Sequence, residues 1–354
     1  MTPLMPAVIH SLRQWLAGPE AVGSDGAYVA WYDADVGEMA FTYPEITGYA
    51  LTHLAALPDP TDAERARSIR AVEWLSARWR DGDHSARSGW DDDRTYFFDL
   101  AMQANGLLLS GVRLDLPDAL DVAGDIVSAL AEQVRRHGAL PAIPPNGPSP
   151  RTGWSTQGVA HLAKGVQCLL HARVTIPDRV GTLDDVIPAV VAQALDVQRP
   201  DGRFVTDPAD EVTMLHPHLY AVEGLWCHAQ ATGDQASARA AQAGAAWVWQ
   251  HQLPSGGLPR HVPPAGPGVP GPEQLDLTAQ AVRAAYLTGT HLAAAERAAE
   301  RLTDLAVPRA AGSAALPYQP GSGRLHLNTW VTLFAGQALG LASGGHPVSW
   351  QELV

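Results

Sequence analysis

The sequence predicts an all-α fold, a single (α/α)6 toroid covering residues 1–354. Three observations predict it. Strand-type alternation is almost absent, while apolar residues recur at helical spacing along nearly the whole chain, in windows rich in Ala, Leu, Arg and Glu. The helical windows come in pairs, joined alternately by short and long connections. The second member of each pair begins near residue 44, 93, 155, 217, 273 or 328, and a regular spacing of this size marks a repeat architecture.

Taken in order, the first helix covers 3–16, with Leu4, Ile9, Leu12 and Leu16 on one side. The second, 44–56, opens with Pro44 in its first turn, where proline is tolerated. The third, 61–79, has Thr61 as cap and Glu64 at the capping-box position. The fourth, 93–109, has Asp93 as a candidate N-cap. Periodicity alone places the others at 117–136, 155–172, 183–197, 217–231, 236–252, 273–286, 292–305 and 328–342. The first helix of a pair repeatedly stops at glycine, as at Gly82, Gly138, Gly202 and Gly256. A long loop then delivers polar and aromatic residues to the start of the next helix. Six inner helices of parallel sense would form a barrel inside six outer ones, with their N-terminal ends converging on one funnel. The Pro/Gly-rich stretch 263–272 falls where the fifth long connection belongs and reads as a rim loop or lid rather than a linker.

Composition narrows the partners. A net charge of -13 disfavours nucleic acid and anionic membrane surfaces. Lys164 is the single lysine, so there is no GxxxxGK[ST] phosphate loop. Two cysteines without a CxxC pair give neither a zinc ribbon nor a disulfide framework. The first residues lack a signal-peptide pattern and no apolar run reaches membrane-spanning length. A cytoplasmic protein without a cofactor, acting on a small-molecule or oligosaccharide substrate, is the expectation; the oligomeric state is not readable.

Helix N-termini favour anionic groups, so acids there either complement the dipole or serve a site. The candidate acid/base groups are Glu45, Asp92, Asp93, His216, His218, Tyr220, Glu223 and Asp276. Glu45 shares a helix face with Tyr49 and follows Tyr43. Asp92 and Asp93 belong to a run of adjacent carboxylates that could hold one acid protonated. His216, Tyr220 and Glu223 follow the i, i+4, i+7 pattern of one face, and histidine is suited to proton transfer near neutrality. His216-x-His218 alone is not a zinc site, which needs a third ligand that His326, Asp276 or an acid of the 91–93 run could supply; no metal is assigned. Candidate substrate-binding residues are Tyr43, Tyr49, Trp90, Arg94, Asp99, Trp154, Gln157, Arg203, Arg260, Gln280, His326, Asn328 and Trp330. Eleven Trp against five Phe fits a funnel in which indoles pack on pyranose faces.

The segments Tyr43-Pro-Glu-Ile-Thr-Gly-Tyr49, Gln198-Arg-Pro-Asp-Gly-Arg-Phe204 and His218-Leu-Tyr-Ala-Val-Glu-Gly-Leu225 resemble toroid proteins of bacterial polysaccharide gene clusters. The layout is also similar to the toroid domains of glucuronyl C5-epimerases, N-acylglucosamine 2-epimerases and unsaturated-uronyl hydrolases. The resemblance implies carbohydrate chemistry: a glycoside hydrolase, or an epimerase or lyase on a uronic-type sugar. Two other readings stand beside it. One is a terpenoid or natural-product cyclase with an Asp proton donor, because the Gln-x-Pro-Asp-Gly loop also resembles the repeats of terpene cyclases. The other is a glycan-binding toroid without catalysis.

Overall fold

A computed structural model describes residues 4–84, 94–142, 153–209, 211–264 and 270–354. Its helices alternate between an outer and an inner layer. The outer helices are α1 (Met5–Leu16), α3 (Asp62–Arg80), α5 (Pro117–His137), α9 (Val186–Asp196), α11 (Gln235–Val248) and α13 (Leu292–Asp304). The inner ones are α2 (Pro44–Ala55), α4 (Phe97–Arg113), α7 (Val166–Thr175), α10 (Leu215–Thr232), α12 (Leu275–Thr288) and α14 (Thr329–Ala342). Two single-turn helices, α6 (Trp154–Gln157) and α8 (Pro177–Val180), lie in the connections. Each inner helix packs on the next, and α14 packs back on α2, which closes the ring. The fold is therefore a toroid and not an open solenoid.

Inner helices are buried nearly all round, so they carry apolar or small residues on every face. Outer helices such as α5 bury only one stripe: Val122, Ile126, Val127 and Leu130 face inward. The predicted capping box forms, with Glu64 N donating to Thr61 Oγ1 and Thr61 N donating to Glu64 Oε2. Glu64 also receives Arg13 Nε at 2.5 Å, tying α3 to α1.

Close crossing of inner helices depends on glycine. A Cβ on Gly106 of α4 would stand 2.3 Å from Gly48 O of α2. Gly106→Ala is expected to cost about 1–3 kcal/mol despite alanine's better helix propensity, because backbone cannot yield as a side chain can. Thermal denaturation of the variant measures it.

Three differences from the sequence expectation matter. The helix expected over 155–172 is broken: α6 ends at Gly158, a 3-10 stretch runs over Ala160–Gly165, and only then does α7 begin. A Cβ at Gly158 would meet Thr206 O at 1.9 Å, so the long loop of the next repeat presses against the chain here. The fourth helix starts at Phe97 with Tyr96 as its N-cap residue. Finally, short strands knit the long connections together. Strand β1 (Trp31–Asp33) pairs antiparallel with β2 (Glu38–Met39) and with β7 (His326–Asn328), joining the first and last repeats. Strands β3 (Thr213–Met214) and β4 (His261–Val262) pair, as do β5 (Val307–Pro308) and β6 (Ala314–Ala315). Of the stretch 263–272, residues 265–269 lie outside the described residues.

Candidate active site

The six inner helices present one common register at the funnel. Counting from each N-cap residue, the second helical position is Glu45 in α2, Phe98 in α4, His161 in the 3-10 lead of α7, His216 in α10, Asp276 in α12 and Trp330 in α14. Contacts show that these side chains meet. Trp330 Nε1 donates to Glu45 Oε1 at 3.2 Å. The Phe98 ring lies 5.6 Å from His161 and 4.6 Å from Tyr220. Trp154, from α6, stands edge-on to both His161 and His216 at 5.2 and 5.8 Å. His216 Nδ1 lies 3.4 Å from Asp276 Oδ2. The other oxygen of Asp276 receives Gln274 Nε2 at 2.7 Å and Leu277 N at 2.8 Å, so the carboxylate is held with one edge toward His216. Beside the ring, Tyr43 Oη donates to Asp99 Oδ2 at 2.9 Å.

One turn deeper lie Tyr49, Tyr220, Gln280 and Phe334. The Tyr49 and Phe334 rings meet edge-on at 5.4 Å, and the His216 and Tyr220 rings at 4.4 Å. The Tyr49 and Tyr220 hydroxyls and both amide atoms of Gln280 are buried without a hydrogen bond of normal geometry. Deeper still, Glu223 is wholly enclosed between Arg283 Nη2, 2.5 Å from Oε1, and Lys164 Nζ, 3.2 Å from Oε2.

The electrostatics follow from enclosure. Burial pushes His161 down to about 3, helped by His216. Burial also lowers His216, against the opposing pull of Asp276. Both imidazoles are therefore neutral near pH 7 and able to accept a proton. Burial raises the Tyr49 and Tyr220 hydroxyls well above their ordinary value, with Glu45 adding to the effect on Tyr49 and Tyr49 and Glu45 adding to that on Tyr220. Both phenols stay protonated and can donate.

The structure thus brings together Tyr43, Glu45, Tyr49, Asp99, Trp154, His216, Tyr220, Asp276, Gln280 and Trp330 of the expected set. Other expectations are corrected. His218 faces away from the funnel: its Nδ1 accepts from Phe204 N at 3.2 Å and its Nε2 pairs with Gly244 O at 3.0 Å. It is a latch, in the position that Thr47, Thr278 and Thr332 fill in other repeats, where each threonine Oγ1 accepts an N–H from the preceding long loop. Glu223 lies inside the barrel as a counter-ion, at 0% exposure, rather than at the funnel ring. Asn328 caps Val331 N of α14, and His326 stacks on Trp31 at 5.5 Å with its Nε2 3.2 Å from Asp33 Oδ2, so both serve the rim. Arg203 donates to Glu211 O and Thr213 Oγ1. Arg260 is exposed, as is Gln157, and Arg94 is partly buried just ahead of α4. Trp90, Asp92 and Asp93 lie outside the described residues.

His161, Phe98 and Phe334 were not anticipated. The register of the second helical position identifies the first two, and one further turn identifies Phe334. For His161 the signal is displaced, because the true start of its helix is Ala160 and not residue 155.

No protein-family model and no curated protein sequence matches the chain. Solved structures do. A sugar epimerase from a ruminal bacterium superposes with a TM-score of 0.72 at 12% identity, over 98% of this chain and 99% of that one. Cellobiose 2-epimerase from Bacillus thermoamylovorans gives 0.69 at 14% identity, over 92% and 98%. The unsaturated glucuronyl hydrolase of Bacillus sp. GL1 gives 0.65 at 14% identity, over 95% and 94%. The chain shares their fold over 92–98% of its residues.

Proposed function

We propose that this protein is a carbohydrate-active enzyme that works by acid/base catalysis in the funnel, transferring protons at a C–H acidic carbon of a sugar. The observation that carries the reading is the placement of Glu45 on α2 three helices around the ring from His216 on α10, with Asp276 beside the imidazole. A neutral base and a carboxyl group then address the substrate from opposite sides, as epimerisation or elimination needs. Asp276, 3.4 Å from the imidazole, stabilises the imidazolium that forms. Tyr49 and Tyr220 donate to substrate oxygens, and Trp330 and Trp154 offer flat faces to a pyranose. The sugar-processing names of the structural neighbours support the substrate class.

Hydrolysis is the second reading. Asp99 and Asp276 stand on α4 and α12, also three helices apart, and the Tyr43 hydroxyl on Asp99 would tune one of the two carboxyls.

A panel of aldoses, uronic acids and oligosaccharides incubated in D2O and followed by NMR and mass spectrometry tests both. Deuterium entering a sugar carbon supports proton transfer. Cleavage to two saturated products with no deuterium on carbon supports hydrolysis. Glu45→Gln and His216→Asn are each expected to lower kcat by about 10²–10⁴-fold. Full activity in both variants would sink the site. Because burial holds His216 below its ordinary value, the acid limb of kcat/KM is expected below that of a free imidazole.

A further inference from the structure

The mouth of the barrel opposite the funnel is filled by the chain's own segment Ser349–Val354. The segment enters through a single 3-10 turn, Trp350–Glu352, fixed by a capping box between Ser349 and Glu352. Its backbone carbonyls are then received by side chains of the inner helices. Gln167 Nε2 reaches Trp350 O at 2.9 Å, Gln351 O at 3.2 Å and Leu353 O at 2.9 Å. Asn105 Nδ2 donates to Gln351 O at 3.1 Å, and Gln337 Nε2 to Glu352 O at 2.8 Å. Lys164 Nζ donates to Leu353 O at 3.1 Å, and Arg283 Nη1 donates to Val354 O. Gln337 Oε1 accepts Val354 N at 3.2 Å. The donors come from α4, α7 with its lead, α12 and α14, four of the six inner helices. Leu353 and Val354 are 1% and 0% exposed, comparable to the protein core.

Two features separate this arrangement from ordinary tail packing. First, the receiving groups are polar side chains buried in a barrel interior, where they need partners. The segment supplies main-chain acceptors that the inner helices do not, because helical carbonyls are already used within their own ladders. Second, recognition is directed at main-chain carbonyls, while specificity rests on two aliphatic side chains. Main-chain hydrogen bonds for affinity and a few side chains for specificity are the means by which proteins capture peptides.

We propose that the lower mouth of the toroid is a peptide-binding site, filled in cis by Ser349–Val354, and that it accepts the same peptide in trans. The segment is then a removable seal. With it docked, the barrel opens at the funnel alone; with it released, solvent reaches the buried Lys164, Glu223 and Arg283. This inference does not depend on the reaction performed in the funnel.

Cys227 is a built-in reporter. Its thiol is buried, lies 3.5 Å from Trp350 O, and is pushed up to about 12 by burial. Cys168 is the other cysteine, also buried, with its thiol on Gly165 O. In the intact protein a thiol-reactive probe should label Cys227 slowly. A variant lacking residues 349–354 that keeps its helical circular dichroism should be labelled at Cys227 at least about tenfold faster, since labelling tracks local opening. Addition of the synthetic peptide Ser-Trp-Gln-Glu-Leu-Val should restore slow labelling and show saturable binding by calorimetry. The same peptide with aspartate in place of its Leu and Val should do neither. Unchanged protection of Cys227 in the folded deletion variant, or no binding of the peptide, overturns the proposal. If the deletion variant does not fold, Gln167→Ala in the full chain decides. It removes one donor that reaches three carbonyls, so faster Cys227 labelling is expected, and unchanged labelling overturns the proposal.

Discussion

Glu223→Leu is expected to lower the unfolding free energy by about 3–5 kcal/mol, because it strands buried cations. For a chain of this length that corresponds to a fall in Tm of about 5 °C. Glu223 has no exposed surface and stands between Arg283 and Lys164, which are equally enclosed. The two cations do not respond alike to its loss. Burial already sets Lys164 below the ordinary ammonium value, and Glu223 is the main group holding it up. Without the carboxylate, Lys164 can shed its proton and its charge. A guanidinium cannot, so Arg283 becomes the stranded charge. Adding Arg283→Met to Glu223→Leu should therefore recover part of the lost stability. Simple loss of packing would make the double variant worse than either single one. Thermal or denaturant unfolding of the three variants separates the two outcomes. The same measurement bears on whether Glu223 acts in catalysis, since a counter-ion affects stability first.

The architecture was legible because a toroid repeats. The punctuating glycines and the spacing of inner-helix starts gave six pairs of helices, and the structure has them. The site was partly legible for the same reason. Glu45, His216, Asp276 and Trp330 all occupy the second helical position, and that shared register is visible once the N-caps are fixed. His218 was misread because a His-x-His pair invites a joint role. On a helix, residues two apart point to different sides. Aligning His218 with Thr47, Thr278 and Thr332 separates the latch from the funnel residue. Helical spacing puts Glu223 on one face with His216 and Tyr220, but depth along the barrel axis is a tertiary quantity. Nothing in its local sequence tells that Lys164, 59 positions earlier, and Arg283, 60 positions later, converge on it. The rim strands were missed because two- and three-residue pairings carry no periodicity to detect.

The second large effect expected is loss of stability on mild acidification. Four of the histidines that burial depresses in the folded state are lowered furthest: His53, His171 and His218 to about 4, and His161 to about 3. Unfolded, each returns to an ordinary value near 6.5. Between these limits the unfolded chain binds more protons than the folded one. The stability these groups contribute is therefore complete above about pH 6.5 and is lost as the pH falls toward 4. Each accounts for about 2 kcal/mol by pH 5, so together they oppose folding by several kcal/mol. Tm measured between pH 7 and pH 5 should fall steeply, well before most carboxylates titrate. His218→Thr provides the internal check. Threonine fills the same latch position in three other repeats and can accept the Phe204 N–H. The variant should lose some stability at pH 7, where the histidine packs well against Phe204 and Trp247. It should lose less on acidification, because one proton-binding site of the unfolded chain is gone. A variant with the same pH slope as the parent would mean that His218 is protonated in the folded protein and would contradict the acceptance of the Phe204 N–H by its Nδ1, since an imidazolium has no acceptor.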